Sequence, residues 1–130
     1  MQSVICNKEM KVTGIIILLF VLSVGGLTAY VLIFESESNY FQDYESLVSS
    51  GLIDKGWVPK FIPKSSYDIK EHHRVDVPHI YVELNFTESD LASFEQACKK
   101  MKKAVYQCHN EGYPVEVTIT DGNHAIIKSI

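Results

Sequence analysis

The chain has 130 residues, of which 46% are hydrophobic and 22% are charged, and its formal net charge is −4. This length accommodates one ordinary domain and a short appendage, with no room for anything larger. The acidic balance argues against nucleic acid as a partner, because phosphate backbones are bound by basic surfaces. The patterns GxGxxG, GxxxxGK[ST], HExxH and GxSxG do not occur, so nucleotide binding and the commonest hydrolase signatures have no support.

The first predicted element is a transmembrane helix over residues 12–34. This stretch contains no charged residue, no Asn and no Gln. A helix of about 20 apolar residues crosses the hydrocarbon core of a bilayer, so the lipid bilayer is an expected partner through residues 12–34. The alternative is a buried core helix, which is normally shorter and apolar on one side only.

The flanks of this helix predict its orientation. Lys8 and Lys11 precede the apolar run, whereas two Glu residues and no nearby Lys or Arg follow it. By the positive-inside rule, residues 1–11 form a cytoplasmic N-terminus and residues 35–130 are exported.

The same segment raises two further questions, cleavage and association. Cleavage of a signal peptide near Gly26 would leave the apolar stretch 27–34 at the new N-terminus, so an uncleaved anchor is favoured. Gly25 and Ala29 form a small-xxx-small pair, the pattern that lets two membrane helices approach closely. A homodimer through the transmembrane helix is therefore open.

The first elements predicted in the exported part are a helix, an irregular strap and a second, short helix. The apolar spacing over residues 39–50 is that of an amphipathic helix, and Gly51 is placed to end it. Pro59 and Pro63 bias the residues before them toward extended backbone, so an irregular strap is predicted there. A short helix, capped by the preceding serines, is expected over residues 68–73.

The rest of the exported part predicts an α+β fold. Residues 79–86 alternate between apolar and polar side chains, as in a half-buried strand. A longer helix opens at Thr87, and the lysines of its outer face, within residues 99–103, are read as a solvated face or a basic docking face. Residues 115–120 and 125–130 are predicted to form a hairpin. The sum is an N-terminal transmembrane helix followed by a small two-layer domain, in which helices pack on a short antiparallel sheet.

Residues 35–130 are enough for a small core. They carry 10 Lys or Arg against 15 Asp or Glu, so their formal net charge is −5.

The two cysteines of the exported part give a separate prediction. An oxidising compartment would favour pairing of Cys98 with Cys108. In the helix from Thr87, however, they would lie about 15 Å apart, beyond the ~7 Å limit between the Cα atoms of a disulfide. Unless that helix stops early, they are predicted to be small buried hydrophobes, with intermolecular pairing as the alternative.

One stretch of the exported part follows a known pattern. Residues 51–76 read GLIDKGWVPKFIPKSSYDIKEHHRVD, which fits G-x-[IL]-x-x-G-W-[IV]-P-x-[FL]-[IL]-P-x-S-x-x-[DN]-I-x-E-x-H-x-[IV]-D followed by a strand. This stretch resembles the YbbD head domain, found in an uncharacterised bacterial family of small membrane-anchored proteins. The resemblance covers residues 51–86. It implies a periplasmic domain on the inner (plasma) membrane, and the polymorphic-toxin loci near some relatives suggest an immunity role.

Within this stretch, Trp57 and Phe61 are candidate binding residues. They stand four residues apart, and each is followed closely by a proline. If the strap leaves them exposed, they form a ridge for a protein partner. If it does not, they clamp the strap onto the sheet.

The stretch DIKEHHRVDVPH raises the question of a metal site. Asp68 and His72 lie four residues apart, on one face of the predicted short helix, and Asp76 or His79 follows from the next turn. They are candidate ligands for zinc or another divalent metal. Because Pro78 directs His79 away, no metal and no cofactor is predicted, and the bland alternative is a capped turn with locally satisfied polar groups. A catalytic pair would also need a nucleophile, and none is indicated.

Three classes of function remain open. We favour a membrane-anchored, exported protein-interaction module that is not an enzyme and that binds a protein partner in the envelope. An immunity protein that neutralises an exported toxin is one form of such a module. A metal-dependent envelope enzyme that uses the region of His72 and His73 is the second class, and a structural or envelope-stress component is the third.

Overall fold

The computed structural model describes the backbone of residues 2–130 and the side chains of residues 12–31, 33 and 35–130. The side chains of Lys8 and Lys11, on which the predicted orientation rests, lie outside that set. The chain divides into two compact units, of which the first ends at Glu35 and the second is Ser36–Ile130.

The first unit is a helix, α1 (Gln2–Phe34). Within it, Val12–Val31 has a mean hydropathy of 2.4, so this stretch is long and apolar enough to cross a membrane. The hydroxyl of Ser23 donates to the carbonyl of Phe20, and that of Thr28 to the carbonyl of Val24, each at 2.8 Å. Such internal bonds satisfy hydroxyl groups where no water is present. The predicted N-terminal apolar helix is confirmed.

The second unit is built on an antiparallel sheet of seven strands. The strands are β1 (Ser36–Asp43), β2 (Tyr67–Arg74), β3 (His79–Asn85), β4 (Lys99–Lys102), β5 (Val105–Asn110), β6 (Tyr113–Thr120) and β7 (His124–Ser129). They lie in the order β1-β2-β3-β7-β6-β5-β4, so β1 and β4 are the edges. Because β3 pairs with β7, the two halves of the chain share one sheet.

One face of this sheet carries the core. The register aligns Val82 of β3 with Ile127 of β7, and Ile127 with Val117 of β6, so alternate residues of neighbouring strands face the same side. These inward side chains are buried, while the residues between them are partly or fully exposed. An antiparallel sheet with one covered and one solvated face shows this alternation.

Short helices and a strap cover the core face. They are α2 (Tyr44–Ser50), the strap of residues 51–66, a 3-10 turn (Glu88–Asp90) and α3 (Ala92–Ala97). Leu47, Val58 and Phe94 of this layer are fully buried. The ring of Phe94 makes an edge contact with that of Phe86, with 5.3 Å between centroids. The predicted α+β class is confirmed.

The helix predicted over residues 39–50 is wrong in its first half. Residues 36–43 form the edge strand β1, and the helix begins only at Tyr44. Asp43 caps it, because its carboxylate accepts from the N–H of Ser46 at 2.8 Å. The helix ends as predicted at Gly51, which has φ of 75° and whose N–H donates to the carbonyl of Val48.

The short helix predicted over residues 68–73 is also wrong, because these residues belong to strand β2. Ile69, Glu71 and His73 point into the core, and the residues between them point outward. Two of the three inward residues are polar. The sequence over β2 therefore lacks the alternation of apolar and polar residues that identifies a strand.

The long helix predicted from Thr87 stops at Ala97, and the chain then forms the hairpin β4–β5. Cys98 is extended (φ −130°, ψ 154°), and the hairpin register brings it opposite Cys108, with 4.4 Å between Cα atoms. Their sulfur atoms form a disulfide. The prediction of two unpaired buried thiols is wrong, because opposed residues of an antiparallel pair lie much closer than residues ten apart in a helix.

The remaining strand predictions are confirmed. Residues 79–86 correspond to β3, and the predicted hairpin corresponds to β6 and β7. These strands alternate apolar and polar residues clearly, so local sequence was sufficient to identify them.

Candidate functional site

The three candidate metal ligands have separate neighbours. Asp68 lies in a bulge of β2 with φ of 48°, and its carboxylate accepts a hydrogen bond from the hydroxyl of Tyr40 at 2.7 Å. Nδ1 of His72 is 2.8 Å from the hydroxyl oxygen of Ser38. His79 is exposed at the start of β3. Within the described residues, no group of three or more His, Cys, Asp or Glu side chains is arranged to hold a metal ion.

A buried polar network lies on the other face of β2. Glu71 and His73 are each 2% exposed, and Nδ1 of His73 is 2.7 Å from Oε1 of Glu71. The second carboxyl oxygen of Glu71 accepts from Asn39 of β1 at 2.9 Å. Nε2 of His73 lies 3.6 Å from a carboxyl oxygen of Glu37. Because buried polar groups are costly unless they are hydrogen-bonded, this network fixes the pairing of β1 with β2.

Sequence reasoning missed this network, although it had a signal. A Glu and a His two residues apart face the same side of a strand. Reading the stretch as a helix separated Glu71 from His73 and paired Asp68 with His72 instead. The structure reverses that grouping.

The structure does not bring the two candidate aromatic residues together. Trp57 stacks on the imidazole of His73, with 4.1 Å between ring centroids and 15° between planes. Phe61 makes an edge contact with Phe94, with centroids 6.1 Å apart. Trp57 lines one cleft, and Phe61 lines a different, open depression beside Lys60 and Lys64. Their binding role stays a prediction.

The cleft beside Trp57, here called the Trp57 cleft, has a volume of about 310 Å³. It has three walls: residues 55–57 of the strap, residues 75–78 of the β2–β3 loop, and four residues of the β5–β6 hairpin between Asn110 and Val115. Ile80 and Ser129 complete the lining. Its volume lies near the lower end of the range for small-molecule sites, roughly 300–1,000 Å³.

Gly56 lets the strap approach the hairpin. Its φ is +80°, and a Cβ there would lie 3.0 Å from Cγ of Glu111. Its carbonyl accepts a hydrogen bond from the side-chain amide of Asn110 at 2.6 Å. Lys60 adds an ion pair with Glu111 at 2.9 Å. The first and third walls of the Trp57 cleft are therefore joined.

The walls carry exposed apolar side chains. Val75 is 57% exposed, Val77 42% and Tyr113 55%. The rest of the second unit exposes its large apolar side chains at Tyr40, Val48, Tyr67, Met101 and Ile130. Clustered exposed apolar side chains mark binding surfaces more often than single ones do.

Of the three charged residues that line the Trp57 cleft, Asp76 and Glu111 are paired with cations. The guanidinium of Arg74 donates to both carboxyl oxygens of Asp76, one at 2.9 Å, and this bonding holds the pKa of Asp76 below its ordinary value. Hydrogen bonding to Glu111 raises the pKa of Lys60. Lys55 lines the cleft, and no hydrogen bond or ion pair of its ammonium group occurs among the described residues.

The lining of the Trp57 cleft carries few hydroxyl groups. Ser129 is its only hydroxyl besides that of Tyr113, and it donates to the carbonyl of Pro78 at 3.1 Å while it accepts from the N–H of Ile80 at 2.9 Å. Among the described residues, no His or Cys lines the cleft. The arrangement can enclose an apolar group and place one cation beside it.

Comparison with known protein families gives a match over part of the chain. The family model of the YbbD head domain matches residues 35–87, which comprise β1, α2, the strap, β2 and β3. No curated protein and no solved structure matches the chain. The matched stretch contains the buried network of Glu71 and His73 and two walls of the Trp57 cleft, whereas the hairpin wall lies beyond it. Residues 35–87 are therefore similar to the YbbD head domain.

Proposed function

We propose that this chain is a membrane-anchored protein-interaction module, and that its second unit is exported and binds a protein partner in the bacterial envelope. The observation that carries the proposal is the Trp57 cleft. Its walls expose Val75, Val77 and Tyr113, which folding alone gives no reason to group. A bound partner would remove this apolar surface from water, at about 25 cal/mol for each Å² buried.

Four observations support the membrane anchor and export. The helix α1 contains a stretch long and apolar enough to cross a bilayer, and residues 35–87 match a head domain. Lys8 and Lys11 precede the apolar run, which favours a cytoplasmic N-terminus and a position in the inner membrane with the second unit outside. The Cys98–Cys108 disulfide suits an oxidising compartment.

Orientation can be tested with two reporter enzymes, one active only outside the cytoplasm and one active only inside it. Each is fused after Ile130 of the full chain. We expect activity from the first fusion and none from the second. The reverse result would place the second unit in the cytoplasm and remove export from the proposal.

The interaction itself can be tested by site-specific photocrosslinking in the membranes of cells that make the full chain. A photoreactive amino acid replaces Val77 in the cleft or, as the matched control, Val48 on α2, which is similarly exposed at 48%. We expect a discrete adduct with one envelope protein from position 77 and none from position 48. No adduct at 77, or the same adducts at both positions, would contradict a partner site in the cleft.

The identity of that partner decides which kind of module this is. An exported toxin, inactivated when the complex forms, would make the chain an immunity protein, as the location of some relatives near polymorphic-toxin genes suggests. An envelope protein without toxic activity would leave the broader proposal standing.

A further inference from the structure

We infer that the Trp57 cleft binds the C-terminal residue of a partner polypeptide, with its apolar side chain between the walls and its carboxylate beside Lys55. This inference rests on the proposed function and specifies the ligand of the same site. Three properties of the cleft support it: the volume, the lining and the charge.

The volume limits the ligand to a short piece of chain. The cleft volume of about 310 Å³ is near the lower end of the range for small-molecule sites, roughly 300–1,000 Å³. That is room for one large side chain and the backbone beside it. The strap and the hairpin are joined through Gly56 and Asn110, so a long internal segment would have to separate these two walls in order to pass between them.

The apolar lining favours a ligand with an apolar side chain. Val77, Tyr113 and Trp57 lie on the three different walls. The Trp57 ring is held by its stack on the buried His73, so this wall is formed before a ligand arrives. Preformed, largely apolar pockets with few polar groups are typical of ligand sites.

The charged residues of the cleft favour a ligand that carries a carboxylate. Asp76 and Glu111 are engaged by Arg74 and Lys60, so Lys55 is the cation of the lining that is left to bind an anion. A C-terminal residue carries its side chain and its carboxylate on the same Cα atom, which matches a compact apolar site with one adjacent cation. The formal charge of −5 over residues 35–130 disfavours an anionic lipid surface as the occupant.

The test uses the full chain in a zwitterionic detergent and reads the fluorescence of Trp57, which is the only tryptophan. The probe is the tripeptide N-acetyl-Gly-Gly-Phe with a free C-terminal carboxylate. Its C-terminal amide and N-acetyl-Gly-Gly-Gly are the matched peptides. We expect a saturable change of emission with the acid at about millimolar concentration, and binding at least about tenfold weaker with either matched peptide.

Two charge reversals locate the carboxylate. Lys55→Glu is expected to weaken binding of the acid at least about tenfold and to leave binding of the amide unchanged within about twofold. Lys103→Glu, on the distant β4–β5 turn, is expected to change neither. The far-ultraviolet circular dichroism of both variants should equal that of the unmodified chain, since both lysines are exposed.

Several outcomes would overturn the inference. They are equal binding of acid and amide, no binding of either, or equal loss with both charge reversals. An emission change on adding anionic lipid without peptide would assign the cleft to a membrane surface. A change on raising the protein concentration alone would assign it to a second copy. If the crosslink from position 77 persists in any of these cases, the interaction module stands and only the ligand class fails.

Discussion

At the scale of single residues, two neighbouring histidines have opposite surroundings. Successive residues of a strand face opposite sides, so His73 is buried against Glu71 and Trp57, whereas His72 contacts Ser38 on the outer face. The two side chains also differ in their position relative to the Trp57 cleft. His73 lies under the indole that forms a wall of the Trp57 cleft, and His72 has no contact with that cleft.

We expect His73→Leu to destabilise the second unit by about 3 kcal/mol or more, because it leaves the carboxyl group of Glu71 buried without its main partner. His72→Leu is the matched control and should change the free energy of unfolding by less than about 0.5 kcal/mol. The measurement is denaturant unfolding followed by Trp57 fluorescence. Equal effects of the two changes would show that the buried network contributes little.

At the scale of elements, the β4–β5 hairpin depends on its disulfide. Its strand β4 has four residues, all exposed, and forms an edge of the sheet. The turn contains Ala104 at φ of 61°, a strained value for a residue other than Gly. The Cys98–Cys108 bond therefore has to hold a hairpin that local preference supports weakly.

Replacing both Cys98 and Cys108 by Ser is expected to lower the free energy of unfolding by about 2–3 kcal/mol, the loop-closure value for a ring of this size. A reductant should destabilise the unmodified chain by a similar amount and leave the double variant unchanged. Cys6 is common to both proteins and cancels in the comparison. An unmodified chain that is insensitive to reductant would contradict a stabilising disulfide.

The cap of α2 gives a prediction on pH. Hydrogen bonds from the N–H and then the hydroxyl of Ser46 lower the pKa of Asp43. A lowered folded-state pKa means that this contribution to stability is fully present above the unfolded pKa of about 3.9 and is lost as the pH falls through the folded value.

Asp43→Asn keeps a capping oxygen but does not titrate. Between pH 7 and 5 we expect a constant difference in free energy of unfolding between the unmodified chain and this variant. Below about pH 4 the difference should move against the unmodified chain. Unfolding curves at a series of pH values would show it, and a difference that stays constant down to the lowest pH would contradict the role of the charged cap.

At the scale of the whole molecule, the family match and the folded unit have different boundaries. Residues 35–87 match the YbbD head domain, but β3 pairs with β7, which lies far beyond the match. Without β7, the buried strand β3 would become an edge and expose Val82 and Leu84. The matched stretch therefore lacks a complete core.

We expect a fragment of residues 35–87 to be unfolded in water, because it loses four of the seven strands. Residues 35–130 should fold, and they serve as the control. Amide-proton dispersion in NMR spectra distinguishes the two states. A fragment 35–87 with dispersed resonances would show that β1, β2 and β3 with the strap form an autonomous domain.

Metal removal is expected to leave the stability of the chain unchanged. A structural zinc site contributes folding free energy directly, and the side chains of Asp68, His72 and His79 have separate neighbours. Thermal unfolding of untagged protein with and without a strong chelator, together with metal analysis, is the test. A melting temperature that drops on chelation and returns with metal would favour the metal-dependent enzyme.

The sequence by itself determined those elements whose signal is local. The apolar helix is evident from a long run without charges, and β3, β6 and β7 are evident from their alternation. Gly51 is recognisable in the sequence as a helix end, because Gly readily adopts the left-handed backbone conformation that ends a helix. For the candidate site, the sequence indicated Trp57 but supplied neither its contact with His73 nor the cleft.

Only the tertiary structure decided the rest, because the deciding contacts are non-local. The inward residues Glu71 and His73 are polar, so β2 lacks an apolar alternation and is defined by its pairing with β1 and β3. The apolar spacing of the segment that contains Cys98 and Cys108 fits a helix equally well, and the sheet register selects the hairpin. The Trp57 cleft joins segments near residues 56, 76 and 111, and no local pattern states that these segments meet.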